Sequence, residues 1–600
     1  MQYNADANFR KYPELMYRAS NYNNILPMIY DPEEKCHIIN KHTCVDFVSY
    51  FNSLQVKMFK QKTNAKNFKL HLVMKGKGSV GLLEIFKNSQ NVNYAVIAQQ
   101  VVSADEKSEI VIDIPDTLKP LVAFEITALE DFFIYSGWYT AEVPDEDIKD
   151  INISLVSTTF RKEEYIKKNI GLLKKDVLCE GSDLKGHIYV HVIDNGRTLN
   201  PDEFNCEGLT VYPNDNVGGA GGFTRGMIEA LELKKKPTHV LLMDDDVLIM
   251  TESLFRTYYL LRITKPEYNE YFVSGAMFDY DIRERQYEDV GYVHVENGAY
   301  GPVKRAMDMR SIACVLENDE LPEVNNSYAG WWYCCIPVSV IERNGLPLPV
   351  FVRGDDVEFS LRNHAKFLTM NGICIWHVGF AGKFNAAMEL YQVHRNSFII
   401  QAASGICPEV NFLERIKPMF WLEITRFAYS NAEQLIDSID DFLKGPDYIL
   451  NLNGEQSLKE HNQKNDKLVP ISNFSHYNAQ NGDPYSYKRL GVISKLWYMA
   501  TINGHLLPGF MLRRWPQVIA FDFFNVPGKN FMRKHLIAVN NKDNTAVMRT
   551  INRKKCFALI KRYRKTIKNY NKNHEAVEKA YREAFAKMTT VEFWKGYLGI

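Results

Sequence analysis

The stretch Thr238-His-Val-Leu-Leu-Met-Asp-Asp-Asp-Val-Leu-Ile-Met250 sets three adjacent carboxylates between two apolar runs. Its first half has the length and apolar character of a buried strand and stops at the first aspartate. Three neighbouring negative charges at such a strand end repel one another and destabilise the fold unless a positive charge sits among them. A divalent cation carrying diphosphate oxygens fits that need, because Mg²⁺ and Mn²⁺ take oxygen ligands and are commonly held by one or two carboxylates plus substrate phosphates. Alternate residues of an extended chain point the same way, which pairs Asp244 with Asp246. An exposed turn or helix cap is the competing reading, although caps seldom need three aspartates behind an apolar strand.

Around this strand the chain alternates strands and helices. Ile153-Ser-Leu-Val-Ser157 runs out at Thr159-Phe160-Arg161, and a polar helix follows from Glu163 to Lys175. His187 to Ile193 ends at Asp194-Asn195-Gly196; Leu209 to Tyr212 precedes a glycine-rich segment, and a helix from Phe223 to Lys236 leads into the acidic strand. This rhythm predicts an α/β, Rossmann-like domain with a mostly parallel, doubly wound sheet. Ligands of such sheets bind at the carboxyl ends of the strands. Arg161, Asp194, Asn216 and Asp244 all follow predicted strands and can therefore share one crevice. The segment Asn214 to Gly226 holds five glycines in nine positions, 218 to 226. No Gly-Lys-Ser/Thr follows, so it is not a Walker loop; it reads as a ligand loop or a plain turn.

Three further motifs carry candidate chemistry. In Tyr328-Ala-Gly-Trp-Trp-Tyr-Cys-Cys335 the adjacent Trp331 and Trp332 face opposite ways on a strand, so one can serve the core and the other a sugar ring; both in the core is the alternative. In Phe351-Val-Arg-Gly-Asp-Asp-Val-Glu-Phe-Ser-Leu-Arg362 two carboxylates stand at a helix start, where backbone amides favour negative charge. An attacking sugar hydroxyl needs a base within hydrogen-bond reach, for which Asp356 is the candidate, with Asp355 left to bind acceptor hydroxyls or simply to cap the helix. His377 ends the short apolar strand in Gly372-Ile-Cys-Ile-Trp-His-Val378 and can complete the coordination begun by Asp246, or merely pack.

The rest of the chain frames this centre. Its 600 residues exceed what one core can hold, and roughly three or four domains are expected. Residues 1–148 show short alternating stretches, 46–51, 68–73, 109–114 and 121–126, that predict an N-terminal β-sandwich serving as scaffold or acceptor-guiding surface. Residues 142–150 read as an acidic linker, 149–407 as the central domain and 408–600 as a mostly helical region, with 451–481 as loop. Lys+Arg and Asp+Glu number 72 each, so no global charge points to nucleic acid. Ten cysteines without a CxxC pair read as reduced thiols of a cytoplasmic protein. The opening residues lack an apolar targeting core, and there is no run of about 18 apolar residues. Residues 553–572 hold nine Lys/Arg and no acid. They suit an interfacial helix on anionic lipid, or a basic helix packed on another domain.

Taken in order, Thr159-Phe160-Arg161, Asp194-Asn195-Gly196, Asn216 to Gly226, Asp244-Asp245-Asp246, Trp331-Trp332, Gly354 to Glu358 and Trp376-His377 resemble the bacterial galactofuranosyltransferases of glycosyltransferase family 2, the group that includes polymerising enzymes of mycobacterial galactan synthesis. The resemblance implies a GT-A domain between an N-terminal β-sandwich and a helical C-terminal region. It implies inverting transfer of galactofuranose from UDP-galactofuranose in cell-surface polysaccharide synthesis. Arg161, Asp194 and Asn216 would hold the nucleotide, Asp244 would face it, and Asp246 with His377 would ligate Mn²⁺ or Mg²⁺. Trp331 and Trp332 would shape the acceptor site, Asp356 would be the base, and Arg395 would neutralise phosphate, with His394 as a rival metal ligand. The partners so implied are a UDP-sugar donor, a glycan or lipid-linked glycan acceptor, the anionic inner face of the cell membrane and further copies of the chain. A different UDP-sugar, or a non-catalytic carbohydrate-binding scaffold, are the competing functions.

Overall fold

The computed structural model describes residues 2–4, 12–19, 27–88, 91–379, 383–477, 483–486, 488–522 and 527–600. At its centre is a seven-stranded sheet of β1 (Ile153–Thr159), β2 (Ile188–Asp194), β3 (Leu209–Pro213), β4 (His239–Asp244), β5 (Phe272–Ser274), β6 (Cys334–Pro337) and β7 (Phe367–Leu368), in the order β3-β2-β1-β4-β6-β5-β7. The first four strands are mutually parallel, and β6 alone runs against the rest. The sheet expected to be mostly parallel is thus a mixed one, with one antiparallel strand. Helices α1 (Glu163–Asp176) and α2 (Gly218–Leu231) are the connections of its parallel half. Six of the seven β1 residues are buried, as a strand covered on both faces must be.

A second, five-stranded sheet leans on the first and determines the site. Leu248–Ile249 pairs antiparallel with Cys374–His377, Leu248 lying opposite Trp376. That register draws the turn just before Leu248 alongside His377, so residues more than a hundred positions apart in sequence meet.

The N-terminal region is one nine-stranded antiparallel sheet. Its long strand Lys66–Asn88 pairs along one edge with Asn91–Asp113 and along the other first with Phe132–Glu142, then with Leu121–Ala128. Gly76 and Gly78 mark the changeover; a Cβ there would lie 2.6 Å from Asp131 O and 2.5 Å from Thr127 O. The stretch 46–51 is strand only at its first residue; Phe47, Val48, Tyr50 and Phe51 are instead buried in a turn that faces the central domain. Its alternation reflected that contact and not a pleat.

Beyond residue 408, helices Phe412–Thr425 and Tyr429–Phe442 are followed by Gly454–Lys464, inside the segment expected to be loop. That helix buries Ser457 and His461, so no apolar stripe announced it; residues 478–481 of the same stretch lie outside the described residues. A four-stranded sheet, Val469–Pro470, Gln517–Ala520, His535–Asn540 and Thr545–Thr550, was not expected. The basic stretch opens a 36-residue helix, Arg553–Met588. Its Leu559 and Ile560 are buried, Tyr563 stacks on Phe420, and Arg562 pairs with Asp437 and Asp440 at 2.6 and 2.8 Å. The apolar face expected to meet lipid therefore packs on the protein, as the alternative had it. The last helix, Val591–Leu598, returns to the central domain, where Trp594 is fully buried.

Candidate active site

The acidic turn begins where β4 ends. Asn169 of α1, itself buried, donates through Nδ2 to Asp245 O at 3.2 Å and Val247 O at 3.0 Å, fixing the turn against the sheet. Asp244, Asp246 and His377 each present a ligand atom, and these atoms lie within 4.8 Å of one another. His377 Nε2 is 3.2 Å from Asp246 Oδ1, and Lys162 Nζ is 2.5 Å from Asp246 Oδ2 and 3.8 Å from Asp245 Oδ1. Burial would raise the Asp246 carboxyl, yet the bond and charge of His377 together with Lys162 outweigh it and hold the group well below the ordinary range. Asp244 lacks that relief: burial, with the charges of Asp246 and Asp245 added, pushes it up to about 6 against the pull of His377. The three groups form a compact anionic donor set, and its uncompensated member is the one a cation would restore to full charge.

Across the crevice stands the acid pair. The loop before it has Phe351, Arg353 and Gly354 at φ 72°, 73° and 85°, a left-handed run that two non-glycine residues adopt only under constraint. The constraint is visible: Asn396 Nδ2 donates to the carbonyls of Val350, Val352 and Arg353 at 3.1, 2.7 and 2.8 Å, and Phe351 O accepts from Ala220 N at 3.1 Å. Helix α3 (Asp355–Arg362) then starts with both carboxylates in its first turn. Asp356 Oδ1 accepts from Val357 N at 2.8 Å. Burial raises both carboxyls, Asp355 further because the Asp356 charge adds to it, while Arg353 and backbone amides pull Asp356 back. The Asp244 charge also raises Asp355, and Asp355 Oδ2 lies 3.6 Å from where a Cβ on Gly219 of α2 would stand.

No family model matches the chain. The galactofuranosyltransferase GlfT2 of Mycobacterium tuberculosis (strain ATCC 25618 / H37Rv) is 24% identical over 443 residues, covering 68% of this chain and 66% of that enzyme. GlfT2 of Mycolicibacterium smegmatis is 24% identical over 450 residues, covering 68% and 65%. The chain is thus similar in sequence to these two galactofuranosyltransferases. The matches span just under two thirds of the GlfT2 chains. Among solved structures, the mannosyltransferase PcManGT from Pyrobaculum calidifontis, in complex with GDP-Man and Mn²⁺, aligns with 58% of this chain and 80% of its own at 10% identity. A xylan-binding CBM22-2 domain of Paenibacillus barcinonensis Xyn10C aligns with 24% and 99% at 12% identity. Their TM-scores, 0.27 and 0.17, are too low to argue from.

Other residues singled out from the sequence have different surroundings from those expected. The glycines of 218–226 do not form a loop; they open α2 and let it approach the sheet. A Cβ on Gly222 would lie 2.0 Å from Thr158 Oγ1, on Gly226 2.1 Å from Val156 Cγ1, and on Gly218 2.1 Å from Phe351 O. Trp331 and Trp332 are both buried, Trp331 against Phe223 and Phe359, Trp332 donating Nε1 to Gly275 O at 3.0 Å. Both tryptophans therefore pack in the core, which was the alternative reading. Arg395 is buried and spends its guanidinium on Gln392, Asn396 and Tyr391, and contact with phosphate would require that network to open. His394 is buried one residue away, outside the Asp244, Asp246, His377 set. Asp194 is fully buried and accepts from Gly196 N and Leu199 N at 3.0 and 2.7 Å, while Asn216 accepts from Gly218 N at 3.1 Å. Both side chains shape the crevice's loops. Arg161, at φ 57°, is exposed beside Phe160 at the end of β1.

Four groups escaped sequence reasoning. Lys162 follows Arg161 directly, and its place after β1 was the available signal. Lys383 lies near enough to sense Asp246: burial lowers its ammonium, Asp246 opposes this, and Lys542, Lys162 and Arg353 repel it, while Arg353 itself pairs with Glu389 at 2.8 Å. Glu288, buried on the second sheet, is pushed up to about 8 by burial and then by the charges of Asp356 and Asp289. A glutamate at the end of a short strand carries no sequence signal of this kind.

Proposed function

We propose that the chain is an inverting, metal-dependent glycosyltransferase of GT-A architecture that transfers galactofuranose from UDP-galactofuranose to a hydroxyl of a glycan or lipid-linked glycan. The observation that carries this is the meeting of Asp244, Asp246 and His377 at the carboxyl end of β4. Two carboxylates and one imidazole suit Mn²⁺ or Mg²⁺, and Asp246 and His377 would be its principal ligands. When bound, such an ion stabilises the charge that appears on a departing nucleoside diphosphate. Lys162 and Lys383 add positive charge beside Asp246.

Asp356 takes the proton of the incoming hydroxyl. Its raised affinity for a proton leaves it ionised near neutrality yet able to hold the proton it receives. A direct displacement of this kind inverts the sugar carbon and needs no covalent enzyme intermediate. Identity of 24% to the two GlfT2 enzymes supports galactofuranose as the transferred sugar, and a lipid-linked acceptor would locate the chain on the inner face of the cell membrane.

Product analysis tests this. The chain with Mn²⁺, a short galactose or galactofuranose acceptor and a panel of UDP-sugars should lengthen the acceptor from UDP-galactofuranose. Turnover of UDP-glucose or UDP-N-acetylglucosamine instead would reject the donor while keeping the reaction. No transfer from any donor would reject both.

A further inference from the structure

Among the described residues, 488–515 carry a cluster of large exposed apolar side chains that the candidate site does not use. The helix Val492–Ala500 buries none of its residues. Ile493 is 84% exposed, Val492 77%, Leu496 59% and Trp497 44%; beyond the helix Phe510 is 82% and Trp515 72% exposed. Isolated apolar residues are common on surfaces, whereas a cluster of large ones marks an interaction site.

The surface is held rigidly. Asn503 Nδ2 donates to Thr425 O at 2.8 Å and Asn530 O at 3.0 Å, and Arg553 Nε donates to His505 O at 3.0 Å. Tyr498 OH meets Asn530 Nδ2 at 3.2 Å beneath the helix, and Leu512 is buried. Inner residues thus anchor the segment while the outer ones stay in water.

Charge identifies the occupant. Between residues 484 and 521 the sequence has five cations, Lys488, Arg489, Lys495, Arg513 and Arg514, and no acid, in a chain whose overall charge is zero. All five are exposed. Large apolar and tryptophan side chains ringed by Lys and Arg are what an anionic bilayer surface takes: the apolar groups enter the acyl boundary, the indoles sit at headgroup level and the cations meet lipid phosphates. A protein partner of acidic surface would satisfy the cations, but it would not need so many apolar tips of unlike shape spread over a helix and a following loop. No helix among the described residues is long and apolar enough to cross a membrane, so the contact is one of lying on the surface.

We infer that residues 488–515 dock the chain on an anionic lipid bilayer. This deepens the membrane location proposed above and rests on no step of the reaction. Flotation of the full chain with phosphatidylcholine vesicles, with and without phosphatidylglycerol, tests it. The chain should float with the phosphatidylglycerol vesicles, and Ile493→Glu combined with Phe510→Glu should lower the bound fraction at least tenfold. Both side chains lie in solvent, so circular dichroism and Tm should stay unchanged. Replacing Arg513 and Arg514 by Gln should weaken binding chiefly at low salt. Absence of binding by the unaltered chain, or full binding by the Glu double variant, overturns the assignment. So does a result in which the double variant only dissociates an oligomer and leaves flotation as it was, for the surface would then seat a second copy. Loss of flotation on neutralising Lys561, Arg564 and Lys565 alone would return the anchor to the long basic helix.

Discussion

Asp356 ionises in surroundings that disfavour its charge, and this fixes how turnover responds to pH. A base works only when ionised. As pH falls through about 6 the carboxyl takes up its proton, and kcat/KM should fall about tenfold per unit below that point. Asp356→Asn should remove about 10²- to 10⁴-fold in kcat while Mn²⁺ binding persists; residual activity with the same acid limb would move the role to Asp355. Metal binding has its own dependence, because ligands must be deprotonated. Asp244, raised to about 6, should take a proton as pH drops through that value, so Mn²⁺ affinity should weaken in the same window. His377→Ala should weaken it about tenfold or more at pH 7.5 by calorimetric titration, by the loss of a metal-binding imidazole. The aspartates were legible because charge in an apolar setting demands a partner. Trp331, Trp332 and Arg395 were not, because a tryptophan or an arginine can face a ligand or a core equally well until the packing around it is known.

Among the elements, the start of α2 shows why a glycine-rich segment is hard to read. Glycine permits a ligand loop and a close helix–strand contact alike, and sequence does not say which atoms lie opposite. Here the distances separate the glycines by consequence. Gly222→Ala would press a methyl group onto Thr158 Oγ1, 2.0 Å from its Cβ, and should destabilise by about 1–3 kcal/mol. Gly218→Ala meets Phe351 O at 2.1 Å and must also hold φ 73°, so its cost should be larger. Gly219→Ala meets nothing nearer than Asp355 Oδ2 at 3.6 Å, and should be neutral or stabilising by up to about 1 kcal/mol. Chemical denaturation of the three variants gives the order; equal effects at all three would remove close packing as the reason for these glycines. Strand β4 was legible through its unbroken apolar run, whereas helix Gly454–Lys464 was not, since it packs through Ser457 and a stack of His461 on Tyr391.

On the scale of the whole molecule, each half of the crevice is braced by an end of the chain. Tyr12 stacks on Trp376 with ring centroids 3.9 Å apart, and Phe51 O accepts from Arg256 Nη2 at 2.8 Å, so turns of the N-terminal region support the strand that ends in His377. Trp594 donates Nε1 to Pro347 O at 2.9 Å and lies against Gly221, supporting the segment that leads into Phe351–Gly354. Neither contact was legible, because partners 364 and 247 positions apart leave no periodic trace in sequence. Removal of a buried aromatic costs about 3–5 kcal/mol, so Tyr12→Ala and Trp594→Ala should both lower Tm. Their functional signatures should differ. Tyr12→Ala loosens the His377 strand and should weaken Mn²⁺ binding while the acid limb of kcat/KM stays near its original pH. Trp594→Ala loosens the acid-pair loop and should lower kcat and move that limb, because the burial and backbone bonds that set Asp356 are disturbed, while Mn²⁺ titration stays close to that of the unaltered chain. If both substitutions changed metal binding and the pH profile alike, the crevice would respond as one body, and the separate bracing of its two walls by the two chain ends would be wrong.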